Sequence, residues 1–227
     1  ACFAKETGLT STMTFIKGNL APEGAVIKST AIDPGVLDSD GVFRMEGAAK
    51  VFTSEASAIE AVRAGQIQAG DVMVLAGIGP MGTGMEETYQ VTAAIKYLPF
   101  GKHVALVTDG RFSGVSTGAC VGHVGPEALA GGPIGRVCDG DVIRILIDCN
   151  GNAGAVDLVG EGRHRFNPRE GAALLKERPP DEQLAPHPYL PADSRLWAAL
   201  QGISGGAWGG CVYDVDKIVS ALSKGPE

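Results

Sequence analysis

The chain has 227 residues, 44% of them apolar, with a net charge of −7 and a pI near 5.1. That length suits one large domain or two small ones around a sizeable core. The acidic balance excludes a phosphate-tracking nucleic-acid surface, which needs a basic stripe, and no segment approaches the roughly 18 consecutive apolar residues of a membrane-spanning helix.

The 33 glycines are about twice ordinary usage. They show no repeat and sit singly at the ends of apolar runs, which predicts many tight turns in a compact α/β protein. The opening stretch "ACFAKETGLTSTMTF" has no initiator Met and no signal-peptide h-region, and reads as a partial helix or linker of a longer chain. Next, "GNLAPEGAVIKSTAI" leads into a β-branched strand over 25–32. "IDPGVLDSDGVFRMEG" is dense in turn signals. "KVFTS" reads as a short strand, and Ser54 with Ser57 caps a helix in "EASAIEAVRAG" that Gly65 ends.

"DVMVLAG" is a continuous apolar run, hence a strand buried on both faces. A glycine-rich loop follows, then a helix over 85–98 stopped by Pro99. "KHVALVTD" is the next buried strand, and "GPEALAGG" a short helical turn. "DGDVIRILIDC" alternates like a half-buried strand, and "NPREGAALLKERPP" is a helix ending at two prolines. "PPDEQLAPHPYLPAD" is a proline-rich linker. The tail carries both tryptophans and two helical patterns around a glycine-rich break, and is too short for a core of its own. The expected organisation is a linker over 1–17, a main domain over 18–178, and a linker with a packed extension over 179–227.

The five cysteines, Cys2, Cys120, Cys138, Cys149 and Cys211, are widely spaced and lack any C-x-x-C pair. This spacing fits neither a disulfide framework nor a zinc or iron–sulfur site, and points to mostly buried thiols in a reducing cytoplasm.

Two short motifs suggest chemistry. Gly77-Ile-Gly79-Pro-Met-Gly82 matches the dinucleotide fingerprint G-x-G-x-x-G, with Asp109 at the end of the next strand as the ribose acid. Against this, Asp109 falls about 27 residues beyond Gly82 rather than about 20. Glu86 and Glu87 at the expected helix start would repel a pyrophosphate and suit a hard cation such as Mg²⁺ instead. Gly114-Val-Ser116-Thr-Gly118 fits the hydrolase elbow G-x-S-x-G, but the strand before it stops several residues too early.

The longer blocks are more specific. "GNLAPEGAVIK", "KVFTSEASAIEAVRAGQIQAGDVMVLAGIGPMGTGMEET", "VALVTDGRFSG" and "VGHVGPEALAGGPIG" together resemble the C-terminal half of the dihydroxy-acid and sugar-acid dehydratase family. The tail "LPADSRLWAALQGISGGAWGGCVYDVDKIV" and the form "GTGMEETYQ" are similar to its xylonate dehydratase branch. The resemblance implies an α/β fold, a swivelling β-barrel-like domain of β/β/α type flanked by helices, with a helical C-terminal extension. It implies elimination of water from an aldonic acid such as D-xylonate to give the 2-keto-3-deoxy acid, with Mg²⁺ and an iron–sulfur cluster as cofactors. The cluster ligands and remaining metal ligands are expected in an N-terminal half of the same chain, without which this stretch is inactive.

Carried over by position, Ser113 matches the proton-abstracting serine and Glu87 the glutamate of the metal site. Substrate contacts are implied at Gly84, Arg111, Gly114 and Ser116, and Asp109 with Arg111 is expected to hold the loop. Expected partners are a small sugar acid, the N-terminal half and further copies of the chain, with no nucleic acid and no membrane. Two other readings stay open: a non-catalytic sugar-acid-binding or assembly module, and a nicotinamide-binding Rossmann domain. Cation proximity would make a serine alkoxide accessible, as it does for bound water, and the glycines let the backbone approach a small polyhydroxylated ligand.

Overall fold

The computed structural model describes residues 12–113, 118–209 and 212–224. Among these the chain forms a mixed α/β fold, a curled nine-stranded sheet with six α-helices. The strands are β1 (Thr14–Ile16), β2 (Gly24–Ile27), β3 (Val42–Phe52), β4 (Val72–Leu75), β5 (Ala105–Thr108), β6 (Ala119–Gly125), β7 (Asp141–Asp148), β8 (Ala153–Glu161) and β9 (His164–Arg165). The helices are α1 (Glu55–Arg63), α2 (Pro80–Thr83), α3 (Tyr89–Lys96), α4 (Pro168–Glu177), α5 (Ala192–Ile203) and α6 (Val215–Ser223).

The sheet runs β1-β2-β6-β5-β4-β3-β7-β8-β9. Its centre, β3 to β6, is parallel, and both flanks are antiparallel. The two central parallel strands, β4 and β5, read as unbroken apolar runs because both faces are covered. Alternation then divides β4, β5 and β6 between two cores. Val72, Val74, Ala105, Val107, Ala119 and Val121 point into the concave core, while Met73, Leu75, Leu106 and Cys120 face α1 and α3. Those helices contribute Ala58, Ala61, Val91 and Ile95 to the second core.

The sheet curls into a half-barrel whose first strand reaches back to β8. Lys17 bridges Ala155, and Val156 N–H donates to the Lys17 carbonyl at 3.1 Å. Asn19 fastens this seam. Its side chain accepts from Leu158 N–H at 2.6 Å and donates to the carbonyls of Leu158 and Pro168, both at 2.9 Å. Its own N–H donates to Asp157 Oδ1 at 2.8 Å.

Local signals explain several helix ends. Ser54 caps α1 by accepting from Ser57 N–H, and Gly65 leaves it at φ +68°. Asn167 and Glu170 form a capping box on α4, with Pro168 in its first turn. The proline-rich segment is docked along its length: Asp181 N–H donates to the Gly135 carbonyl at 2.8 Å and His187 N–H to the Gly82 carbonyl at 2.7 Å.

Several expectations need correction. The 25–32 strand is shorter, β2 giving way to a 3₁₀ turn over Ser29–Ala31. The "KVF" of "KVFTS" is the end of the eleven-residue β3, not a separate strand. The 85–98 helix begins only at Tyr89, because the residues before it are drawn into a pairing described below. Of the three thiols described, only Cys120 is buried, Cys149 being half-buried and Cys138 exposed, which departs from the expectation of mostly buried thiols. Cys2 and Cys211 lie outside the described residues. Among the described residues no helix is long and apolar enough to cross a membrane.

Removing the seam ligand tests how much the closure contributes. Asn19→Ala strands the buried N–H and carbonyl of Leu158, so urea unfolding is expected to show a loss of about 3 kcal/mol.

Candidate active site

The loops that leave the C-terminal ends of β4, β5 and β6 meet on one carboxylate. Asp109, 1% exposed, accepts Gly77 N–H at 3.0 Å, Ile78 N–H at 2.9 Å and Ala128 N–H at 2.8 Å. Burial pushes its carboxyl up, while the same three donors pull it down. With three N–H groups aimed at it, the side chain works as an acceptor that ties three loops together.

This arrangement removes the dinucleotide reading. The proposed ribose acid is consumed by backbone donors, and the helix after Gly79 is the single turn α2, too short to offer a phosphate a developed dipole. The glycines serve packing: Gly77 sits at φ +81°, and a Cβ on Gly82 would lie 1.9 Å from the Gly77 carbonyl oxygen.

Beyond Asp109 the chain turns past Gly110 and forms a bridge between Arg111 and Glu87. Thr88 N–H donates to the Arg111 carbonyl at 2.9 Å, and Arg111 Nε donates to the Met85 carbonyl at 2.9 Å. Arg111 Nη1 lies 3.6 Å from Glu87 Oε1, both side chains being about half exposed. Met85 holds φ 67° to present its carbonyl, a left-handed conformation that costs a residue with a Cβ about 1–2 kcal/mol. Phe112 seats its ring over Gly122 and edge-on to His123, whose imidazole is pushed down by burial and then by Arg111.

Of the residues singled out from the sequence, Glu87, Arg111 and Ser113 are therefore brought onto adjacent segments, Ser113 lying half-buried two positions beyond the bridge. Gly84 ends α2 at φ +73°, and its open face is covered by Ser194 and Leu190 of the C-terminal extension. Gly114 and Ser116 lie outside the described residues, and with Ser116 goes the serine of the elbow motif. Asp109 does hold the loop as expected, and Arg111 holds it through Met85.

Glu87 also lines a cleft of about 440 Å³ together with Glu55, Thr83, Glu86, Thr88, Gln90 and His187. Glu86 is tied by its own N–H, which donates to Thr83 Oγ1 at 3.1 Å. Among the described residues no three His, Cys, Asp or Glu side chains cluster to hold a metal ion. A half-exposed carboxylate such as Glu87 fits Mg²⁺ as a single ligand, since that ion takes one or two protein carboxylates and keeps water or substrate oxygens. An iron–sulfur cluster does not fit the described cysteines: they do not cluster, and burial pushes the Cys120 thiol up to about 12.

One titrating group escaped sequence reasoning. Glu127 follows β6 and accepts Met81 N–H on Oε2 at 3.0 Å. Burial, opposed by that bond and helped by Asp109, pushes its carboxyl up to about 7. Gly79 makes room for it, a Cβ there falling 2.3 Å from Oε2.

The comparisons with known proteins bear on the whole chain. A model of the family described as dihydroxy-acid/6-phosphogluconate dehydratase C-terminal matches residues 3–169. The chain belongs to that family. It is 58% identical over 221 residues to D-xylonate dehydratase YjhG of Escherichia coli (strain K12), covering 96% of this chain and 34% of that protein. It is 55% identical over 222 residues to D-xylonate dehydratase YagF of the same strain, covering 98% and 34%. A dihydroxy-acid dehydratase of Leifsonia xyli is 45% identical over 170 residues, 74% of this chain and 28% of that one. The chain thus spans about a third of the length of these relatives. The two D-xylonate dehydratases match nearly its whole length, extension included, whereas the family model stops at 169.

Two measurements check this dehydratase-family site. Asp109→Asn turns an NH₂ toward at least one backbone donor, and is expected to destabilise the fold by about 2–4 kcal/mol in chemical denaturation. For Glu127, the folded state binds a proton that the unfolded state has already released between pH 4.5 and about 7. Its contribution to stability therefore falls as pH rises through that window. Glu127→Gln keeps an acceptor for Met81, so the variant should gain on the parent chain from pH 4.5 to about 7 in parallel melts.

Proposed function

We propose that this chain is the C-terminal part of a sugar-acid dehydratase, a hydro-lyase that removes water from an aldonic acid of the D-xylonate type. The names of the two relatives that match almost its whole length support this substrate class. The observation that carries the site assignment is the bridge between Glu87 and Arg111, which draws the "GTGMEET" and "DGRFSG" segments side by side.

In this reading Ser113 takes the C2 proton of the 2,3-dihydroxy acid. The C2–H electron pair forms the C2–C3 double bond as the C3–O bond breaks, the departing hydroxide takes up the proton that Ser113 removed and leaves as water, and the resulting enol becomes the 2-keto-3-deoxy acid. Arg111 fixes the loop through the Met85 carbonyl and balances the charge of Glu87. Glu87 would supply one carboxylate to Mg²⁺, which when bound would hold the acid's oxygens and stabilise charge developing on them. Gly84, Gly114 and Ser116 complete the proposed substrate contacts. The described cysteines offer no cluster site, so iron–sulfur ligation is assigned to sequence corresponding to the rest of the relatives' length. A swivelling motion of the half-barrel, a cytoplasmic setting and assembly of several copies belong to the same reading, and the stretch on its own is inactive.

The test is Ser113→Ala in a full-length dehydratase carrying this chain. Loss of a general base should lower kcat on D-xylonate by about 10²–10⁴-fold with little change in KM. Exchange of the C2 hydrogen with solvent deuterium should fall in parallel. A variant with unchanged turnover removes Ser113 from the chemistry.

A further inference from the structure

A second cavity, of about 290 Å³, lies on the β6 side of α2 and away from Glu87. It is lined by Val124, Gly125, Pro126 and Glu127 and by the end of α5 with the turn that follows, from Gln201 to Trp208. We propose that this cavity binds a neutral polyhydroxylated molecule, a small sugar or sugar alcohol, through Gln201, Glu127 and the ring of Trp208.

The donors and acceptors in the cavity decide the ligand. Gln201 is 1% exposed, and its Nε2 is the one buried side-chain nitrogen or oxygen among the described residues without a hydrogen-bond partner. A buried amide donor left unpaired costs about 1–3 kcal/mol, so a ligand acceptor that reaches it gains correspondingly. Glu127 spends Oε2 on Met81 N–H and keeps Oε1 for a donor. Asp109 also borders the space, but its oxygens are engaged by the three loops. The Trp208 indole N–H is committed to the His123 carbonyl at 2.7 Å, which leaves the ring as apolar surface.

A hydroxyl both donates and accepts, so neighbouring hydroxyls on one carbon chain satisfy Gln201 and Glu127 together while its C–H groups lie on the indole. A carboxylate ligand meets Glu23 and finds no cation lining the cavity, and is disfavoured. An ammonium would suit the acids and the ring but brings no acceptor for Gln201. The volume suits a small molecule. Gln201 and Trp208 both lie beyond the 3–169 stretch matched by the family model, and the site makes no use of Ser113 or Glu87, so it stands or falls apart from the elimination chemistry.

The experiment titrates the 227-residue chain with xylitol, D-xylonate and choline, reading tryptophan fluorescence and the Gln201 side-chain amide by ¹H–¹⁵N NMR. Xylitol is expected to shift the Gln201 amide saturably below about 100 mM, ahead of the other two. Gln201→Leu removes the orphaned donor without opening a void, and should weaken xylitol about ten-fold. No saturable shift of the Gln201 amide, a preference for D-xylonate or choline, or undiminished xylitol binding by the variant would each overturn the proposal.

Discussion

One buried carboxylate holds the working end of this molecule together. Three segments leave neighbouring parallel strands at the same edge of the sheet. Asp109 joins them with three charge-assisted bonds, two to the loop after β4 and one across to the turn after β6. Taking a carboxylate out of water costs several kcal/mol, and only a full set of donors offsets it. The loops are therefore coupled: none can shift without unpairing the group that positions the others.

The sequence was most legible where burial is symmetrical. β4 and β5 are apolar on both faces and announce themselves as unbroken runs; β7 alternates and is equally plain. β3 hid its length behind Arg44, Glu46 and Lys50, which face away from the core, and behind a glycine pressed against the Gly70 carbonyl. β6 shows no such run, because two of its seven residues are glycines that accept aromatic rings, Phe112 on Gly122 and Trp208 on Gly125. Both partners are distant in sequence or across a turn, so no local pattern records them.

The site divides in the same way. Glu87, Arg111 and Ser113 were recognisable only through long blocks of resemblance, since a Gly/Ser turn and a pair of acids have bland explanations individually. Glu86 and Glu87 looked like the opening of a helix; the bridge to Arg111 pulls them into extended backbone and delays α3 to Tyr89. Glu127 and Gln201 lie within those blocks of resemblance, but nothing in the blocks marks either as a site residue. Their character comes from enclosure by the turn around Trp208, which is tertiary information. The short motif that looked most specific, G-x-G-x-x-G, describes a tight turn whose glycines relieve contacts within the loop and against Glu127.

β3 changes partners midway. Residues from Val42 to Ala48 pair antiparallel with β7, and from Ala49 to Phe52 they pair parallel with β4. A single backbone thus sets the phase of both halves of the sheet, and sliding it by one position would turn two cores inside out at once. Length variation in a fold wired this way is channelled elsewhere: into hairpins such as the one joining β7 to β8, where an irregularity at Val142 and Ile143 already absorbs an extra residue.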